Sequence, residues 1–74
     1  MIQEFEIDGR YFQLDEEAPY SAVEKLFQRE TEAEGLCVLL TMHRNELLAL
    51  PWPVYRDLAK EVAGRIFPFD AKEA

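Results

Sequence analysis

Carboxylates are the only side chains present in numbers that could organise chemistry: fifteen Asp and Glu against eight Lys and Arg. Acid–base catalysis needs two such groups in a pocket that drives their pKa values apart. No pocket of that kind can be read from the spacing of these acids, and a short chain leaves little room for one. The other reactive types are sparse. His43 is the only histidine and sits in the polar run "HRNE", where a solvated turn residue is expected rather than a base or ligand. Cys37 stands alone, so no intramolecular disulfide can form, and it reads as an apolar core residue. Ser21 is absorbed by a capping pattern and has no nucleophile-elbow context. The three glycines are scattered and make no phosphate loop. The sequence therefore assigns no catalytic residue, no metal and no cofactor, and the expectation is a non-enzymatic protein.

The distribution of charge says more. Residues 1–35 hold ten acids and three bases, whereas residues 36–74 hold five of each, so the whole excess of −7 lies in the amino-terminal half. Phosphate neutralisation drives nucleic-acid binding, so direct contact with nucleic acid is not expected. Docking on an anionic membrane is disfavoured for the same reason. No apolar run nears the roughly 20 residues of a membrane span, and "MIQEFEIDGR" lacks the pattern of a signal peptide. A lone cysteine fits a reducing cytoplasm, which is the expected compartment. The length implies a single small acidic domain over residues 1–74, with the last few residues frayed.

The elements that would position these acids can be read in order. In "IQEFEIDGRYFQL", Asp8-Gly9 between two alternating runs predicts a type I′ hairpin. The turn sets the register: Ile7 opposite Arg10, Glu6 opposite Tyr11, Phe5 opposite Phe12, Glu4 opposite Gln13 and Gln3 opposite Leu14. One face then gathers Phe5, Ile7, Phe12 and Leu14, and the other gathers Glu4, Glu6, Tyr11 and Gln13. "SAVE" has the form of a capping box, predicting a first helix from Ala22 to Glu34 that stops at Gly35. The stretch "LCVLLTMHRNELLAL" reads as a second hairpin turning at Arg44-Asn45, with a buried helix as the alternative. A second helix over "PVYRDLAKEVAGRIF" buries Val54, Leu58, Val62 and Ile66 and pairs Glu61 with Arg65. The predicted fold is α+β in the order ββαββα: a four-stranded antiparallel sheet of two hairpins, with two helices packed on one face.

Three features remain to be assigned. Trp52, between Pro51 and Pro53, could anchor a partner; its place at an element junction favours a lid over the end of the core. Glu30, Glu32 and Glu34 fall at the carboxyl end of the first helix as drawn, where the dipole opposes them by about 0.3–1 kcal/mol each. Glu30 could be relieved by Arg10, and Glu4 and Glu6 have no basic cross-strand neighbour. Unrewarded local choices mark candidate functional positions, so Glu4, Glu6, Tyr11, Glu30, Glu32 and Glu34 are the candidate partner-binding residues. The expected partner is a basic surface of another protein. Such surfaces are often nucleic-acid channels, so the protein could act as an inhibitor or DNA mimic. In size and charge it is similar, as a class, to small phage proteins that block host nucleases or CRISPR complexes. The alternative is a homodimeric assembly protein using an apolar outer face of the 36–50 hairpin, through Leu39, Leu48 and Leu50.

Overall fold

The computed structural model describes residues 2–67, so the segment expected to fray lies, from residue 68 on, outside the described residues. Two strands, β1 (Ile2–Ile7) and β2 (Arg10–Asp15), come first. Then follow α1 (Tyr20–Glu24), which runs on into a 3-10 turn over Lys25–Phe27, α2 (Arg29–Leu40), α3 (Arg44–Leu48) and α4 (Trp52–Ile66). The described chain is mixed α and β but mostly helical. Its sheet has two strands, not the four expected.

The hairpin forms as the pattern dictates. Asp8 and Gly9 take φ of 52° and 79°, the two positive values a type I′ turn requires. The pairing runs from Ile7↔Arg10 to Ile2↔Asp15 in the expected register. Phe5, Phe12 and Leu14 are buried, and the Phe5 and Phe12 rings stack at 5.9 Å between centroids. The helical residues join them in one core, so among the described residues the helices cover one face of the sheet.

The first helix departs from expectation. Pro19 opens α1 and its carbonyl accepts from the Ala22 N–H at 3.0 Å, so Ser21 lies inside the helix and makes no capping bond. The helix then breaks at Gln28, whose backbone is extended (φ −122°, ψ 135°). Thr31 secures the break by donating its hydroxyl to the Lys25 carbonyl at 2.8 Å. This folds α2 back onto α1. Gly35 is therefore no stop; it is buried inside α2 where that helix meets the Ala22 carbonyl. The stop comes at Thr41, in the left-handed conformation (φ 53°, ψ 50°).

Residues 36–50 are thus not a hairpin. Leu36, Leu39 and Leu40 are all buried, the i, i+3, i+4 signature of a helix face, and α3 follows after a short corner. His43 does not sit in a hairpin turn. It precedes α3, and its backbone N–H donates to Glu46 Oε1 at 3.0 Å, the reciprocal half of a capping box. Pro51 has the extended backbone that ends this segment, and Pro53 sits in the first turn of α4. The stripe Val54, Leu58 and Val62 is buried as expected, and Arg65 bonds Glu61 at 2.8 Å. Arg65 also donates to Gln3 Oε1 at 2.8 Å and lies 4.6 Å from the centre of the Phe5 ring, fastening the end of α4 to β1.

Tyr55 links α4 to α2 by donating its hydroxyl to Glu32 Oε1 at 2.8 Å. Burial, then the bond to and the charge of Glu32, push the Tyr55 phenol up to about 12. The folded state thus favours the neutral phenol, whereas an unfolded tyrosine ionises near 10. Tyr55 should contribute stability that is fully present below about pH 10 and lost as pH rises through about 12. The phenolate absorbance missing from Tyr55→Phe, taken as a difference from wild type, is expected to develop near pH 12. Development near pH 10 would contradict the burial of Tyr55 together with its Glu32 contact.

Candidate functional site

The uncovered face of the hairpin presents Ile2, Glu4, Glu6, Tyr11, Gln13 and Asp15, fixed there by the register. Glu4, Glu6, Tyr11 and Gln13 are exposed, Tyr11 at 80 %. Gln13 Nε2 donates to Glu4 Oε2 at 3.1 Å, so a neutral amide orients that carboxylate without cancelling its charge. The ion pairs among the described residues are Lys25–Glu34, Arg56–Asp57 and Arg65–Glu61, all away from this face. Of the strand residues on this side of the sheet, three are carboxylates and none is a base.

Beside β2, this face continues into an open groove of about 350 Å³ lined by Glu4, Tyr11, Phe12, Gln13, Leu40, Met42 and Glu46. The end of α2 and the corner into α3 supply its far wall. A second groove of about 290 Å³ contains Gln3, Glu16 and Arg65. Its polar groups satisfy one another, because Gln3 donates to Glu16 and accepts from Arg65. That groove belongs to the architecture.

The other expected site residues are placed differently. Glu30 and Glu32 lie in the first turn of α2, so the dipole that was expected to oppose them favours them. Glu32 is also held by Tyr55, and Glu34 pairs with Lys25 at 3.1 Å. Arg10 is exposed and forms no ion pair with Glu30. The break at Gln28 causes all of this, by making the last turn of one expected helix into the first turn of another. These three glutamates are accounted for by the fold and are not gathered with Glu4 and Glu6.

The apolar dimer face also dissolves. Leu39 is buried at 3 % exposure, Leu50 is half-buried against the core, and only Leu48 is exposed. An α-helical path rotates successive leucines by about 100°, so alternate residues no longer share a face. Trp52 is not a lid. It is 72 % exposed at the start of α4, with the Arg56 guanidinium 5.3 Å from its ring centre. The corner before it closes without the indole, because Leu50 packs against the core while its N–H bonds the Leu47 carbonyl at 3.2 Å.

Besides Glu4 and Tyr11, the groove is lined by Gln13, Met42 and Glu46 and by the core residues Phe12 and Leu40, none of which was expected at a site. Gln13 was legible from its place opposite Glu4. Glu46 carried a weaker signal, the spacing H-x-x-E, in which the fourth residue of a capping box reaches back to the first. Burial raises the Cys37 thiol above its ordinary value, which Arg44 opposes and Glu34 reinforces, so thiolate is disfavoured. Among the described residues no group of three His, Cys, Asp or Glu could hold a metal, and no helix is long and apolar enough to cross a membrane. No family model, curated protein or solved structure matches this chain.

Proposed function

We propose that this is a small acidic, non-enzymatic binding protein that docks on a basic surface of another protein through the outer face of its hairpin. The observation that carries the reading is the one-sided sheet. Glu4 and Glu6 stand on its wet face beside an exposed tyrosine, with no base on that face, while Glu30, Glu32 and Glu34 are absorbed by the fold. Charge of one sign on a rigid face speeds encounter with the opposite charge and fixes orientation. Tyr11 adds an aromatic contact of the kind that concentrates binding energy. A partner whose basic surface normally holds nucleic acid would be blocked by competition, so an inhibitor or DNA mimic acting in the cytoplasm is the corresponding role.

The reading predicts salt-sensitive binding. A basic protein retained on the immobilised chain at about 0.1 M salt should be released by about 1 M, as the screening length falls from roughly 10 Å to 3 Å. Retention that ignores salt would contradict it.

A further inference from the structure

The groove beside β2 has the chemistry of a socket for one side chain, an inference that rests on the docking reading above. Its floor is apolar: Phe12 and Leu40 are buried and Met42 is half-buried. Its rim carries the Glu4 and Glu46 carboxylates and the Tyr11 ring. Each carboxylate is held by a neutral donor, Glu4 by the Gln13 amide at 3.1 Å and Glu46 by the His43 backbone N–H at 3.0 Å. Neither forms an ion pair with a described residue.

We infer that this groove receives an arginine side chain of the basic partner. Its volume of about 350 Å³ lies at the low end of the roughly 300–1,000 Å³ typical of ligand sites, which suits one long side chain better than an extended peptide. An arginine stem is apolar and matches the floor. Its planar guanidinium offers five donors, enough to serve two separate carboxylates, and stacks on an aromatic face such as Tyr11. A lysine ammonium is a compact, strongly hydrated point charge and uses less of the same site.

The test is a nuclear magnetic resonance titration of the isotopically labelled full chain with a blocked Gly-Gly-Arg-Gly-Gly peptide. The same peptide carrying citrulline, which has the shape without the charge, is the comparison. Saturable shifts confined to Glu4, Tyr11, Gln13, Met42 and Glu46 are expected, with the citrulline peptide about tenfold weaker or more. Glu46→Gln keeps an acceptor for the His43 N–H, so it should preserve the rest of the spectrum while weakening the arginine peptide by a similar factor. Absent shifts, equal shifts from both peptides, or shifts unchanged by Glu46→Gln would overturn the socket. The two readings fail separately. Salt-released capture without peptide binding removes the socket and leaves docking by the acidic face, whereas peptide binding without any captured basic protein supports the socket and removes the docking.

Discussion

Truncating Leu47 to alanine should destabilise the domain by about 2–5 kcal/mol, against at most about 1 kcal/mol for its neighbour Leu48. The two leucines sit side by side in the five-residue helix α3, yet Leu47 is 0 % exposed and Leu48 is 52 % exposed. Leu47 belongs to the single core that joins the hairpin to the helices, so its removal leaves a cavity in common packing. The total stability of a chain of this size is on the order of 4–11 kcal/mol, so Leu47→Ala approaches the threshold of unfolding. The measurement is the urea midpoint of both variants, with an unchanged denaturant slope as the sign that only stability has moved. Equal losses would contradict the inward face assigned to α3.

Gly35→Ala should destabilise although it improves helix propensity. A Cβ at residue 35 would lie 2.6 Å from the Ala22 carbonyl oxygen and 3.0 Å from Lys25 Cβ. The nearer obstacle is backbone, so α1 itself has to move. Overpacking of this kind costs about 1–3 kcal/mol, and the propensity gain of about 1 kcal/mol offsets only part of it. The net loss, up to about 2 kcal/mol, should lower Tm by up to roughly 16 °C. Gly64→Ala is the counterpart in α4, where a Cβ meets nothing within 4 Å. There the same substitution should stabilise by about 0.5–1 kcal/mol. Calorimetry that gave both variants the same sign would overturn the close crossing of α1 and α2.

These variants also show what the sequence could and could not disclose. The hairpin was legible because its turn residues, alternation and register are all local to one short stretch. α4 was legible because its apolar stripe is regular and its start is marked by prolines. α2 was not, for reasons that lie in tertiary contacts. Its beginning at Gln28 carries no breaking residue, and its glycine is a contact point. Its end falls on Thr41, a β-branched residue in a conformation usually left to Gly or Asn. Glu30 and Glu32 looked unrewarded because they open a helix instead of closing one, and a cost of about 0.3–1 kcal/mol at one end of a helix is a gain of that size at the other; Glu34 is instead paired with Lys25. Half of the groove was legible for the same local reason as the hairpin. Met42 and Glu46 were hidden because their side depends on α2 folding back beside β2.

In the proposed mode the outer face of the hairpin, and not the acidity of the chain at large, makes the docking surface. Two triple variants of equal charge change separate the possibilities: Glu4→Gln, Glu6→Gln, Asp15→Asn on the sheet, and Glu30→Gln, Glu32→Gln, Glu34→Gln on α2. Retention of a basic protein by each, measured beside wild type at low salt, is the direct test. The sheet variant is expected to lose the partner, while the α2 variant keeps it and shows only a lower Tm. Loss by the α2 variant with retention by the sheet variant would contradict that mode.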